Sequence, residues 1–304
     1  MADLPVQRPS SPANAAQSRA RFFNSGNAFN IELPPVPARL FDDVAGQASA
    51  AAASGWFDCD QSAQLGCNFP ATTPLMLARY ARIAANTTLS LDPRATGSVC
   101  YVMAGSGGCI GAEAFDFAAG DVFLLPGGAC HRLHGGAGGA LLWTVDNQPQ
   151  LAFDGSLPAE PAHSPIDVVH YPAAEIERQF QRLFAAGSND STSGRALIFS
   201  SERQQASRNL MPTLTLSFNT LAPHSVQRSH RHNAAAITLI VQGQDCHSLV
   251  DGRRCDWAPG STMVTPPGAP HSHHNEGHER ALFLIVQDGG LHYHARTMGF
   301  EFLG

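Results

Sequence analysis

The stretch from Ser229 to Asn275 opens with His230-Arg231-His232 and closes with His271-Ser272-His273-His274-Asn275. Ten of the fourteen histidines lie between His224 and His294. Imidazoles hold metals and move protons, and nowhere else does the chain concentrate them. In an extended strand, residues i and i+2 face the same way, about 6.6 Å apart. His230 and His232 therefore present both rings on one face. If His271 arrives on a neighbouring strand, three neutral nitrogen donors meet on one side of a divalent ion. Such a facial set leaves positions open for substrate and oxygen. His273 shares the parity of His271 and falls on the same face; His274 has the opposite parity and faces out. A ligating histidine must be neutral, so metal affinity is expected to fall below about pH 6.

Composition narrows the alternatives. The net charge is -6, and all nineteen basic residues are arginine. Without lysine there is no Schiff-base or P-loop chemistry, both of which need an ε-amine. No basic footprint for nucleic acid or anionic membrane is visible. The seven cysteines are dispersed, odd in number and never spaced C-x-x-C, which reads as free thiols in a reducing compartment. Cys246 and Cys255 flank the Asp251-Gly252 turn and read the same way. No signal pattern or membrane-length apolar run is present, so the expected location is the cytoplasm.

The elements that must carry the histidines are mostly short strands with turn signals every eight to twelve residues. Expected strands include Leu75–Thr88, Ser98–Met103, Ala140–Val145, Ala236–Val241, Met263–Thr265, Pro270–His274, Ala281–Gln287 and Leu291–Arg296. The glycines from Gly105 to Gly108 read as a break. Thr213–Phe218 alternates, turning Leu214, Leu216 and Phe218 to a core. Gln47–Ser54 reads as a short helix. Ala173–Ala186 is the clearest helix: Ile176, Phe180, Leu183 and Phe184 form one apolar stripe, with Gly187 as cap. Residues 1–20 read as a disordered lead, and Arg21–Asp43 as an apolar arm packed on the body or on a second subunit.

An internal repeat sets the architecture. Gly120, Pro126, Gly128 and His131 have the same spacing as Gly260, Pro266, Gly268 and His271. The expected fold is all-β: two double-stranded β-helix barrels with an N-terminal arm and one bridging helix. The expected divisions are a lead and arm over 1–50, a first barrel over 51–155, a linker over 156–205 with helix 173–186, and a second barrel over 206–304.

These residues also carry a family resemblance. Gly260 to Asn275 resembles the second cupin motif, and His230-x-His232 the first, whose acidic position (Ala236 or Ile237) is vacant here. Leu221-Ala222-Pro223, Val250-Asp251-Gly252, Thr265-Pro266 and His271–Gly277 resemble the gentisate 1,2-dioxygenase and hydroxynaphthoate dioxygenase group. The resemblance implies an iron(II) bicupin that opens aromatic rings with dioxygen. It implies His230, His232 and His271 as ligands, and His273 as the histidine contacting substrate or dioxygen. Three departures stand out. Thr238 occupies the place of the arginine that meets the substrate carboxylate. Ile285 replaces an aspartate. The histidines sit in the second barrel rather than the first, whose His131 and His134 alone make no site, so the first barrel is expected to be metal-free.

Further candidates for substrate contact are Thr238 and Gln242, and His292 and His294 at the pocket mouth. Arg228, Arg231 and Arg296 are candidate carboxylate clamps, with Arg231 pointing away from its flanking histidines. Met263, Trp257 and Phe283 are core residues, one of which can wall an aromatic pocket. The expected function is an Fe(II) dioxygenase on a gentisate-, salicylate- or hydroquinone-like ring, acting as a homo-oligomer (dimer or tetramer). A lyase or isomerase using zinc, manganese or nickel, and a non-catalytic small-ligand binder, are the alternatives.

Overall fold

The computed structural model describes residues 5–111, 113–186 and 195–303. It forms two compact units, 1–35 and 36–304. In the first, an isolated bridge joins Gln7 to Phe22. Ala15–Ser18 makes one helical turn, with Asn14 Oδ1 accepting from the Gln17 N–H. Phe29, Ile31 and Leu33 are largely exposed. Residues 1–4 of the expected lead, and Gly187 as helix cap, lie outside the described residues.

The second unit holds two β-barrels. An eight-stranded sheet within 55–171 builds the first. Its long strand Gly97–Ile110, paired with His131–Asp146, runs through the glycines from Gly105 to Gly108 that were expected to break it. The reason is close approach: a Cβ on Gly107 would lie 2.0 Å from the His134 carbonyl oxygen, and one on Gly105 2.1 Å from that of Gly139. The glycines let paired backbones pass where a side chain would collide. The interior is apolar, with Cys100, Val102, Phe117, Phe123, Leu125 and Leu133 all buried.

In the second barrel, a six-stranded and a five-stranded sheet stand apart in hydrogen bonding. Leu40–Phe41 adds to the six-stranded sheet beside Thr262–Thr265, so the end of the expected arm is a strand of this barrel. The helix expected over Gln47–Ser54 lies earlier, at Asp42–Ala50, with Asp42 and Asp43 in its first turn. Acidic side chains suit the positive end of the helix dipole. Leu221, Ile240, Trp257 and Phe283 form a buried apolar cluster within this barrel.

The repeat is visible in the backbone. Gly120 and Gly260 have φ of +92° and +89°, and Gly128 and Gly268 have +75° and +76°. All four positions need left-handed backbone, which glycine adopts without steric cost. The helix Ala173–Ala185 links the barrels. Its Ala173 N–H donates to Asp121 of the first at 2.7 Å, and Phe180 packs edge-on to Phe218 of the second. Trp143 Nε1 and the Tyr80 hydroxyl both reach Thr262 Oγ1 across the junction. The seven cysteines are free. Among the described residues, no helix is long and apolar enough to cross a membrane.

Candidate metal centre

Strands Ser225–His232 and His271–Asn275 pair antiparallel, with His230 directly opposite His271. That register brings the three expected ligands together. Their rings lie 4.2 Å (His230–His271), 4.8 Å (His232–His271) and 5.9 Å (His230–His232) apart. One nitrogen from each falls within 4.8 Å of the others, and all three residues are buried.

Each ring is oriented through its other nitrogen. Nδ1–H of His230, His232 and His271 donates to the carbonyl oxygens of Arg228, Ala234 and Ala269, each at 2.8 Å. These bonds set the tautomer and turn the Nε2 lone pair of each ring to the pocket, where that of His232 accepts from the Gln287 amide, the arrangement that supports a metal ligand. Burial, followed for His271 by its neighbouring imidazoles, lowers the proton affinity of all three. His271 falls to about 3. His271 therefore stays neutral well below the limit of about pH 6 expected for ordinary histidines, and burial moves His230 and His232 in the same direction. Three preoriented, neutral imidazoles fit a divalent transition metal.

The three histidines face a cavity of about 200 Å³ between the two sheets. An apolar cavity of about 150 Å³ accommodates benzene, so a single substituted ring fits. Thr238, Ile285 and Gln287 line the opposite wall, with Ser217 and Asn219 beside them. Tyr293, Met298 and Phe300 line the cavity as well, Tyr293 and Phe300 remaining more than half exposed. Thr238 and Ile285 are direct cross-strand partners. The two positions that depart from the resembled enzymes are thus one contiguous patch. Ala236, one of the two residues at the vacant acidic position, sits opposite Gln287, whose amide is 3.2 Å from His232 Nε2.

His273 lines the same cavity and is fully enclosed between Trp257 and Phe283, with ring centroids at 5.8 and 5.2 Å. Trp257 Nε1–H donates to Ser248 Oγ at 2.8 Å, and Ser248 Oγ lies 2.7 Å from His273 Nδ1. The indole fills one of the two acceptor sites of this buried hydroxyl, and Nδ1 is the acceptor within reach of its proton, so Ser248 donates to Nδ1. The proton of neutral His273 is then on Nε2. Burial first, then the neighbouring histidines, hold this ring well below its ordinary proton affinity.

Three expected substrate contacts are not at the pocket, and two unexpected residues, Gln227 and Tyr293, are. Gln242 turns outward, its amide 3.4 Å from Glu279, because the strand slips register between Ile240 and Gln242. His292 and His294 lie on the helix Gly289–Ala295, not on a strand. Two residues apart on a helix point about 200° apart, so their shared strand parity has no meaning, and Tyr293 between them lines the cavity. The helix starts there because Gly290 packs on backbone: a Cβ would lie 2.7 Å from the Pro212 oxygen. His292 instead receives a hydrogen bond from Asn233 at 3.1 Å, and His294 is exposed. Gln227 enters the pocket from the opposite cause. A bulge between Gln227 and His230 reverses the parity, so Gln227 points in and Arg228 out, over the Phe302 ring. Arg228 was the available signal, since strict alternation from His230 buries an unpaired guanidinium. Arg231 pairs with Glu301 on the surface, and Arg296 bonds the His294 carbonyl.

Asp288 supports this region from behind. Its buried carboxylate accepts from the Ala235 N–H at 2.9 Å, next to the carbonyl that orients His232. Burial raises its pKa from 3.8 to about 7, against the lowering effect of that hydrogen bond. Between these values the folded chain holds a proton that the unfolded chain releases. Stability therefore declines as pH rises through that window and levels off above it. Asp288→Asn keeps the acceptor and removes the charge. It should flatten the profile and stabilise the protein at pH 8 by roughly 2–4 kcal/mol, measured by denaturant unfolding at pH 4.5, 6 and 8. An unchanged pH profile would contradict this assignment.

Comparison with known proteins agrees with the geometry. Residues 217–287, which include the triad, match the cupin domain family. The chain is 34% identical over 93 residues to a gentisate 1,2-dioxygenase of Ralstonia sp, covering 31% of this chain and 25% of the relative. It is 32% identical over 80 residues to a 1-hydroxy-2-naphthoate 1,2-dioxygenase of Nocardioides sp. strain KP7, covering 26% and 21%. The matched segment thus spans about a quarter of the length of these curated relatives. In structure, the chain is similar to salicylate 1,2-dioxygenase from Pseudoaminobacter salicylatoxidans, with a TM-score of 0.74 at 12% identity over 91% of this chain and 88% of that one. Oxalate decarboxylase from Bacillus subtilis shares the fold more distantly, at 0.51 and 15% over 77% and 72%. The chain has the fold of a bicupin, and its segment 217–287 is similar to the cupin domains of gentisate-dioxygenase-like proteins.

Proposed function

We propose that this protein is a non-haem iron(II) dioxygenase that opens a small hydroxylated aromatic ring. The observation carrying the proposal is the convergence of three neutral, preoriented imidazoles on a ring-sized cavity. The similarity to ring-cleaving dioxygenases supports the reaction type. His230, His232 and His271 would hold the metal; their donor set suits iron(II) and also manganese, nickel or zinc. Bound iron(II) would supply the redox centre through which dioxygen meets a closed-shell phenol.

The remaining steps belong to the chain. The two sheets enclose the ring and limit water around it. His273, with its proton on Nε2, is the catalytic candidate: it donates a hydrogen bond to an oxygen of the bound substrate and steers it. Its low proton affinity makes it a donor rather than a store for the phenol proton. The partners in this reading are a small aromatic and dioxygen, in a cytoplasmic homo-oligomer (dimer or tetramer). The exposed Phe29, Ile31 and Leu33 support self-association.

Oxygen uptake by anaerobically iron-loaded protein, supplied with gentisate, salicylate, hydroquinone, catechol or a β-diketone, tests the reaction. Uptake is expected with at least one phenol. No uptake with any of them, or oxygen-independent turnover with zinc or manganese, would overturn it.

A further inference from the structure

Gln287 lines the cavity beside the three histidines, and its amide N–H donates to His232 Nε2 at 3.2 Å. The Oε1 of the same amide makes no hydrogen bond among the described residues. His232 Nδ1 is committed to the Ala234 carbonyl, so Nε2 carries the only lone pair with which this ring could hold a metal. The Gln287 N–H and a metal ion compete for that lone pair. A cation there repels the N–H and attracts the amide oxygen. The terminal torsion of glutamine is soft and roughly two-fold, so a half-turn exchanges the two ends without moving the strand.

The place of Gln287 in the sheet points the same way. It is the direct cross-strand partner of Ala236. Of the two residues at the vacant acidic position, Ile237 is buried in the main core and Ala236 lines the cavity. Side chains of directly paired residues start about 4.5–5.5 Å apart and share a face. A glutamate at 236 would reach the histidines from one strand; Gln287, of equal length, reaches the same space from the next, and alanine leaves room for it. Neighbouring donors on a six-coordinate ion with bonds of about 2.1 Å stand about 3 Å apart. The Gln287 amide is at nearly that distance from the His232 donor nitrogen.

We infer that Gln287 supplies a fourth donor to the metal centre, its carboxamide oxygen taking the role of the acidic residue that this chain lacks at Ala236; the inference rests on the reading of His230, His232 and His271 as ligands. A carbonyl oxygen is a neutral donor, so the ion keeps its full double charge. Hard oxygen beside three imidazoles suits iron(II), manganese or cobalt. A six-coordinate ion retains two positions, enough for one substrate oxygen and dioxygen.

Cobalt(II) is the probe, and the readouts are structure and affinity rather than turnover. A crystal structure of the full chain grown with cobalt(II) should place the Gln287 oxygen within about 2.2 Å of an ion held by the three histidines. In calorimetric titration, Gln287→Ala should bind cobalt(II) at least about ten-fold more weakly, with its circular dichroism and metal-free melting temperature unchanged. Gln287→Glu, an oxygen donor of the same length without an N–H, should bind at least as tightly as wild type. An ion on the three histidines with water in place of the amide, an unchanged affinity in Gln287→Ala, or a loss in Gln287→Glu would overturn the inference and leave the triad standing. No cobalt on the triad at saturation would sink both.

Discussion

His271→Ala is expected to reduce bound metal from about one ion per chain to less than a tenth, with the fold retained. His271 is the centre of the ligand set, its ring being 4.2 Å from His230 and 4.8 Å from His232. Without it, two imidazoles on one strand remain, and they cannot form a facial triad. The strand itself does not depend on this side chain. His271–Asn275 is held by backbone pairing on both sides, to Cys246–Val250 and to Ser225–His232. Elemental analysis of metal content, with circular dichroism as the control for folding, checks the expectation. A variant that folds and still binds stoichiometric metal would show that the ion, if any, lies elsewhere. The pH dependence supplies a second arm. Because burial lowers the proton affinity of these rings, wild-type protein should retain more of its metal at pH 5.5 than unperturbed histidines, mostly protonated there, would allow.

The second large effect concerns Thr238 and Ile285. These residues are cross-strand partners, both line the cavity, and Thr238 is almost fully buried. Thr238→Arg would place a cation there with no acid beside it. An unpaired buried charge costs about 3–5 kcal/mol, a fall of roughly 6–15 °C in melting temperature for a domain of this size. Adding Ile285→Asp opposite it should recover half or more of that loss, a coupling of at least about 1.5 kcal/mol in a double-mutant cycle. The double variant should also gain affinity for hydroxybenzoates, since the pocket would then hold a guanidinium fork. Additive effects of the two substitutions would show that the positions changed independently and do not form one patch.

The features legible in the sequence were those set by strict local rules. The glycine spacing of the repeat reports left-handed backbone, and the four φ values agree between the barrels. The i, i+2 spacing of His230 and His232 reports a shared face, which the register with His271 completes. The apolar stripe of Ile176, Phe180 and Leu183 reports a helix, found at Ala173–Ala185.

What stayed hidden depends on neighbours distant in sequence. Two strand irregularities reversed the parity at Gln242 and at Gln227, removing one expected contact and adding one unexpected. Gly289–Ala295 has no apolar stripe; its helix depends on Gly290 fitting against Pro212 and Thr213 from another part of the chain. The glycines of the first barrel read as breaks because the partner backbone that needs their small size is some thirty residues away. His273 was placed on the correct face, but its proton position follows from Ser248 and Trp257, which no spacing rule connects to it.

The most direct test is turnover of a diphenol by iron-loaded protein under 18O2, with mass spectrometry of the product. Ring opening with both labelled oxygen atoms incorporated is the predicted result, and it should be absent from His271→Ala. A product carrying one labelled atom or none, or a ring left closed, would contradict the assignment of this triad to a ring-cleaving dioxygenase.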